Sequence, residues 1–272
     1  VRYYAQSQPS QRAGTDPLYL TQWYLKNTGR LTGYSGLAAG EDLQVENVWA
    51  SGLRGENIRV AVVDDALEVT HQDLAPNVVE GASYNYVSDG SWQRGSPWPL
   101  PCTSSQTHGT AVGGVVAARD SNGLGGRGVA PRASLVGYNA LANDQDSEVL
   151  DALVRDQGKN HIYNNSWGAE DDGHFNTPAS RSAQVGTILN GLRNGRNGLG
   201  SIYTFAGGNG GANGDYSVLD GNVSMLGAIP VCGTNAAGKR APYSEPGPNL
   251  IVCAPSSDVG QAKGSSLPDV TT

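Results

Sequence analysis

The segment IRVAVV at residues 58–63 constrains the fold of this chain most, because it ends in a continuous apolar run. Such a run is typical of a strand that is buried on both faces of a parallel sheet. Other short segments that read as strands lie at residues 133–138, 161–164, 201–206, 228–232 and 249–253. Helical patterns separate most of these segments. The chain is therefore predicted to be an α/β protein with a mostly parallel central sheet.

The helices are predicted from apolar spacing and from runs of small residues, at residues 43–52, 108–118, 146–157 and 179–195. The rest of residues 1–50 is expected to form an irregular arm. Residues 84–107 are rich in turn-forming residues and are expected to form a long surface loop. A length of 272 residues is enough for one large domain, and a single domain over residues 1–272 is predicted.

The composition excludes several classes of partner. A net charge of −7 and a pI near 5.0 argue against nucleic acid or an acidic membrane surface as the main partner. No stretch of 18 apolar residues is present, so no membrane span is predicted. The chain begins at Val1 without a visible signal peptide, and a processed, secreted protein is expected, although an arbitrary boundary would look the same.

The three cysteines are too few for a disulfide scaffold, and no Cys/His cluster suggests zinc. Cys232 and Cys253 each close an apolar segment, AIPVC and NLIVC. They could form a disulfide, and buried free thiols are an equal alternative. The pairing of Cys102 stays open.

Three polar residues stand at places where α/β sheets carry their functional sites. Asp64 follows the strand at 58–63, His108 opens a helix of small residues, and Asn209 lies in a glycine loop. Each alone is typical of a cap or a turn. Together they fit acyl transfer by a serine, with His108 as base, Asp64 as its orienting carboxylate and Asn209 as oxyanion donor. The order Asp, His, then Ser is that of subtilisin.

Longer segments resemble one family: DDALEVTHQDL, HGTAVGGVVAA, NNSWGAEDDG, GRNGLGSIYTFAGGNGG and APYSE. They are similar to the catalytic domain of the subtilases, in the kexin and furin branch, from about residue 16 to residue 258. The resemblance implies a three-layer subtilisin-like sandwich, a secreted bacterial protein and Asp64, rather than Asp65, as the catalytic aspartate. One departure is Ala66, where the family usually has glycine.

The same resemblance implies cleavage after basic residues. Asp171 and Asp220 match the aspartates that line the pocket for the residue before the scissile bond, where they would hold Arg or Lys. A substrate would pair with the strand edge that comprises Ser166, Trp167 and Gly168. Asp65 could bind the second basic residue. The alternative to a specificity pocket is that residues 170–172 form only a solvated acidic loop. Residues 104–107 lack the family's acidic residue, so a strict dibasic requirement is not expected.

The resemblance further implies two calcium sites, since Ca²⁺ takes oxygen ligands from carboxylates, amides and carbonyls. One site would use the side chains of Asp16, Asp73 and Asn122 with the carbonyls of Arg119, Leu124 and Gly126. The other would use Asp171, Asp215 and Glu245.

The family's nucleophile signature, G-T-S before small residues and Pro, is not found by residue 272. The nearest match, Gly264-Ser265-Ser266-Leu267-Pro268, has its proline too early. The nucleophile and the β-sandwich domain that follows in this branch are therefore expected beyond Thr272, in the remainder of the same protease. The alternatives are Ser266 as nucleophile, or a pseudoprotease that binds peptides without cleaving them.

Overall fold

The computed structural model describes residues 16–88, 92–143, 145–175, 181–258 and 266–272. Its centre is a sheet of six parallel strands in the order β2-β1-β3-β4-β5-β6. The strands are β1 Arg59–Val63, β2 Ser134–Tyr138, β3 Ile162–Asn165, β4 Ile202–Ala206, β5 Ala228–Thr234 and β6 Val252–Pro255. The predicted parallel α/β fold is confirmed, although β6 begins three residues later than predicted.

Four α-helices are described: α1 Val45–Ala50, α2 His108–Ala117, α3 Asp146–Ala152 and α4 Arg181–Gly198. The predicted helix at 146–157 is too long, because the chain turns after Ala152 and Asp156 takes a left-handed conformation with φ 54°. Buried Leu153 continued the apolar spacing beyond the helix itself. In α4 the backbone leaves the helical region at Gly195. The predicted start of that helix at residue 179 lies outside the described residues.

The sheet separates two apolar cores, which explains the uninterrupted run in β1. Val60 and Val62 pack on one face with α2, while Ala61 and Val63 join the core on the opposite face. In that second core, Tyr163 and Tyr203 stack with ring centroids 5.1 Å apart. None of the described helices combines the length and apolarity needed to cross a membrane.

The irregular segment before β1 has a buried core of its own. Trp23, Tyr24 and Leu25 pack there with α1. Their polar groups bind the segment 266–272, since Trp23 Nε1 donates to Asp269 O at 3.1 Å and Tyr24 Oη donates to Thr271 O at 2.8 Å. The arm therefore anchors a segment almost 250 residues later in the chain.

Of the two alternatives for Cys232 and Cys253, the structure has the disulfide. The two residues are register partners on β5 and β6, with Cα atoms 4.3 Å apart. The bridge fixes the edge strand to the rest of the sheet.

The anchoring of the chain end is testable with Tyr24→Phe. The variant removes a buried donor to Thr271 O and a partner of Gln22 Nε2, so the free energy of unfolding should fall by about 1–2 kcal/mol. Urea unfolding measures the change, with Tyr216→Phe at a half-exposed position as the control. Equal stability of both variants would contradict the anchor.

Candidate active site

The candidate site lies at the carboxyl ends of three neighbouring strands. Asp64 directly follows β1, residues 166–168 follow β3, and Asn209 lies three residues after β4. The register aligns Val63 with Asn165 and Asn165 with Phe205, so the three strands end at one edge. Because β3 lies between β1 and β4, the strands that lead to Asp64 and Asn209 flank the strand that leads to the 166–168 segment.

Helix α2 brings His108 to Asp64. His108 Nδ1 lies 2.9 Å from Asp64 Oδ1 and 3.1 Å from Oδ2. The Asp64 side chain is 2% exposed and that of His108 is 51% exposed, so the carboxylate is buried and the imidazole faces the cleft. Gly109 permits this approach, because a Cβ there would stand 2.1 Å from Ala66 O. Ala66 itself is accommodated in a buried position.

The protonation of this pair follows from its surroundings. The hydrogen bond to Asp64 raises the pKa of His108, and the negative charges of Asp64 and Asp65 add to the rise, while burial opposes it. Burial raises the pKa of Asp64, and the hydrogen bond with His108 partly offsets that rise. The buried carboxylate thus stabilises a protonated imidazole beside it.

Asp65 was expected to bind the substrate. In the structure its carboxylate contacts the first residues of α2. Its Oδ2 accepts from the backbone N–H of His108 at 3.2 Å, and its Oδ1 accepts from that of Gly109 at 2.8 Å. Both carboxylate oxygens therefore have partners on the helix.

The backbone N–H and C=O groups of the segment 166–168 are available for hydrogen bonds with a peptide. Among the described residues, none forms a backbone hydrogen bond with this segment. The Trp167 side chain points inward instead: its Nε1 donates to Val63 O at 3.0 Å, and its ring meets Phe205 edge to face. Ser166 Oγ accepts from Asn164. The indole therefore holds the segment in place, and its main chain is what a peptide could pair with.

An acidic cavity adjoins this segment. Its lining consists of Ala169, Glu170, Asp171, His174, Asp215, Asp220 and Glu245. The two aspartates expected to select basic residues, Asp171 and Asp220, therefore face the same cavity. Sequence reasoning missed His174 and Glu170 in its wall, because nothing in a polar surface loop distinguishes a lining residue from a solvated one.

Asp220 and Asp171 are held by backbone groups. Asp220 Oδ2 accepts from Ala169 N at 3.1 Å and Oδ1 from Asn222 N at 2.6 Å, and burial raises its pKa. A Cβ on Gly168 would lie 2.7 Å from Asp220 Oδ2, so glycine keeps this cavity open. Asp171 Oδ1 accepts from Asn209 N at 3.1 Å, which ties the asparagine loop to the cavity.

Three carboxylates of the lining, Asp171, Asp215 and Glu245, lie close enough for their charges to interact. Burial raises the pKa of Glu245 to about 7, and a hydrogen bond with Asp171 and the charge of Asp215 contribute. Glu245 Oε1 accepts from Gly210 N at 3.0 Å, and Asp215 Oδ2 accepts from Gly173 N at 2.9 Å. Carboxylate oxygens are the ligands that a hard divalent cation prefers in proteins.

Hydrogen bonds link Asp16, Asp73 and Asn122 of the other predicted ligand set, which remains a prediction. Asp16 Oδ1 accepts from Asn122 N at 3.1 Å, and Asp73 Oδ1 accepts from Asn122 Nδ2 at 2.6 Å. Burial raises the pKa of Asp73 to about 6, and the charge of Asp16 adds to the rise. Arg127 forms an ion pair with Asp16 at 2.7 Å, a partner the sequence did not indicate.

The carbonyl ligands expected from Arg119, Leu124 and Gly126 belong to the loop that carries Asn122. Gly126 donates its N–H to Asp73 Oδ2 at 3.2 Å, and Arg119 donates its N–H to Asp73 O at 2.8 Å. Within the described ranges, no group of three or more His, Cys, Asp or Glu side chains is arranged to hold a metal ion.

The segment 266–272 ends beside α2. Thr272 Oγ1 donates to Ala111 O at 3.1 Å, one helical turn from His108. Gly114 lies opposite, where a Cβ would overlap Thr272 Oγ1. The carbonyl of Ser266 accepts from Ser35 N at 3.0 Å, and no hydrogen bond among the described residues joins Ser266 to His108.

Comparison with known proteins places these features in a family. The pattern of the subtilase family matches residues 55–272. Neuroendocrine convertase 2 of Caenorhabditis elegans is 38% identical over 237 residues, which cover 85% of this chain and 34% of that protein. The dibasic-processing endoprotease of Schizosaccharomyces pombe is 37% identical over 261 residues, covering 95% and 33% respectively. The chain thus spans about a third of the length of these relatives.

Solved structures agree with the fold. The serine protease of Aeromonas sobria, in complex with its chaperone, superposes with a TM-score of 0.80 at 31% identity, covering 95% of this chain and 45% of that one. A cold-adapted subtilisin-like serine proteinase shares the fold with a TM-score of 0.58 at 19% identity, covering 87% and 73%. With a parallel sheet, an Asp–His pair at its carboxyl edge and relatives that are serine proteases of the kexin and furin type, this chain belongs to the subtilase family.

Proposed function

We propose that the protein is a secreted, calcium-dependent serine endopeptidase that cleaves peptide bonds after basic residues. The observation that carries this proposal is the buried Asp64 carboxylate bound to Nδ1 of the half-exposed His108. That arrangement leaves Nε2 of His108 as the atom that faces the cleft. The printed names of the relatives, which are convertases and serine proteases, support the same reaction.

The chemistry needs one imidazole in two protonation states. Neutral His108 accepts the proton of a serine hydroxyl at Nε2 as that oxygen attacks the scissile carbonyl. Asp64 fixes the tautomer with the proton on Nδ1 and stabilises the imidazolium that results. His108 then returns the proton to the leaving amine. Asn209 would donate its side-chain amide to the developing oxyanion, and losing one such donor typically costs about 2.7–4 kcal/mol.

The serine is proposed to follow Thr272 in the same polypeptide. Support comes from the position of Thr272, which contacts α2 one turn from His108. A residue a few positions further along has the reach to enter the cleft, since each adds at most about 3.6 Å. Ser266 is a weaker candidate, because its backbone is bound to Ser35 on the N-terminal arm.

The preference for basic residues is proposed from the acidic cavity. Asp171 and Asp220 face it beside the 166–168 segment, where a paired peptide would place its side chain. A guanidinium or ammonium group would relieve the cost of burying Asp220 as an anion. The printed name of the Schizosaccharomyces pombe relative, a dibasic-processing endoprotease, agrees with this class of substrate.

Calcium is proposed to be structural. One ion would be held by Asp171, Asp215 and Glu245, and another by Asp16, Asp73 and Asn122 with nearby carbonyls. A divalent cation would neutralise carboxylates that otherwise share protons or bind backbone amides. Because Asp171 also holds Asn209 N, the first ion would stabilise both the cavity and the asparagine loop. Secretion into an oxidising compartment fits the Cys232–Cys253 disulfide.

The catalytic pair predicts a defined pH dependence of the full-length protein. The base acts only when neutral, and the pKa of His108 is raised. The acid limb of kcat/KM should therefore lie above the ordinary histidine value of about 6.5. Asp64→Asn should lower kcat on the order of 10⁴-fold through the wrong tautomer. Asp146→Asn, at an exposed position on α3, is the control. Wild-type turnover in Asp64→Asn would refute the pair, and no turnover of any peptide by the wild type would favour the pseudoprotease.

Specificity is tested with Asp220→Asn. The loss of one buried carboxylate should lower kcat/KM for peptides with Arg before the scissile bond by at least about tenfold, since charged hydrogen bonds contribute about 1.5–3 kcal/mol. Hydrolysis of peptides with Leu at that position should stay the same or rise. Glu80→Gln, at an exposed position outside the lining of this cavity, serves as control. A wild-type enzyme that prefers Leu over Arg would contradict the assignment.

Calcium binding is tested by thermal unfolding. Excess chelator should lower the melting temperature of the full-length protein, and added Ca²⁺ should restore it. Glu245→Gln should reduce that calcium-dependent difference, whereas Glu56→Gln on the exposed surface should not. An identical melting curve with and without chelator would rule out both sites.

A further inference from the structure

We propose that Asp65 is a positioning residue for His108: it holds the start of α2 and the Asp64 carboxylate in one hydrogen-bonded unit. The proposal rests on the proposed function only in taking His108 as the base. It differs from the role expected from the family resemblance, in which Asp65 binds a second basic residue of the substrate.

The first support is the use of both carboxylate oxygens. Oδ1 accepts from Gly109 N at 2.8 Å and Oδ2 from His108 N at 3.2 Å. These are the first two N–H groups of α2, which have no partner inside the helix. A carboxylate at a helix N-terminus also interacts favourably with the helix dipole.

The second support is the distance in sequence from which the start of α2 is held. Asp65 supplies the cap from 43 residues earlier. The start of α2 is therefore fixed to the turn after β1 rather than to the surface loop that precedes the helix.

The third support is a closed loop of contacts. Asp65 donates its own N–H to Asp64 Oδ1 at 2.8 Å, and that same oxygen lies 2.9 Å from His108 Nδ1. Asp65 thus touches both members of the pair, one through its amide and the other through its carboxylate. Gly109 closes the loop, since its Cα faces Ala66 O with no space for a side chain.

This geometry limits what Asp65 can offer a substrate. An Arg or Lys that bound both oxygens would compete with the N–H groups of His108 and Gly109. Positioning predicts that losing Asp65 impairs every substrate, whatever its second residue. Substrate binding predicts a loss only for substrates with a basic second residue.

The test compares Asp65→Ala and Asp65→Asn in the full-length protein, with Glu68→Gln as an acidic neighbour on the same turn. Two peptides are hydrolysed, one with Lys-Arg and one with Ala-Arg before the scissile bond. We expect Asp65→Ala to lower kcat about 10- to 100-fold on both peptides, as a small misplacement of a catalytic group does. Asp65→Asn keeps one acceptor and should fall between Asp65→Ala and wild type, and Glu68→Gln should match wild type.

NMR of the same proteins gives a readout that does not depend on turnover. In Asp65→Ala, the backbone amides of His108 and Gly109 should lose protection from hydrogen exchange, and the low-field Hδ1 signal of His108 should weaken. Should Asp65→Ala not fold, Asp65→Asn supplies both readouts. Unchanged amide protection with a loss confined to the Lys-Arg peptide would overturn the proposal. A protein that hydrolyses neither peptide would refute the proposed function and leave the exchange data to decide the role of Asp65.

Discussion

The site depends on one hydrogen bond between a buried carboxylate and a half-exposed imidazole, Asp64 to His108. Burying an unpaired carboxylate costs several kcal/mol, and the imidazole together with the N–H of Asp65 offsets that cost. The bond joins the end of β1 to the start of α2. The packing of that helix on the sheet therefore also determines where the His108 imidazole lies. The glycine at residue 109 follows from this, because α2 starts against the backbone of residue 66.

The residues of the candidate site follow the ends of neighbouring parallel strands, and side chains that reach from one strand end to the next connect them. Trp167 crosses from the segment after β3 to Val63 on β1 and to Phe205 on β4, which fixes the spacing of the cleft. Asp171 binds the backbone of Asn209 and faces the acidic cavity. The proposed selection of a basic side chain and the proposed stabilisation of an oxyanion are therefore linked through the contact between Asp171 and Asn209. The charges of Asp215 and Asp171 also raise the pKa of the neighbouring Glu245.

The sequence was sufficient for β1 and β2, since apolar runs buried on both faces leave little choice, and for the positions of Asp64 and Asn209 just after strand ends. It was insufficient where a contact depends on tertiary placement. The end of α3 could not be predicted because Leu153 packs in the core beyond the helix. The capping of α2 by Asp65 could not be predicted because the residues are 43 positions apart. The pairing of Cys232 with Cys253 stayed open until β5 and β6 were adjacent.

The most direct test of the central claim is covalent labelling of the full-length protein with a short peptide that ends in an arginine chloromethyl ketone. Such a reagent alkylates a histidine only where a basic side chain is held beside a nucleophilic imidazole nitrogen. Mass spectrometry of the digest then locates the adduct among His71, His108, His161 and His174. The account predicts a single adduct on His108 that forms more slowly in Asp64→Asn. An adduct on another histidine, or labelling of His108 at the same rate in wild type and Asp64→Asn, would contradict the pairing of Asp64 with His108 as the catalytic base.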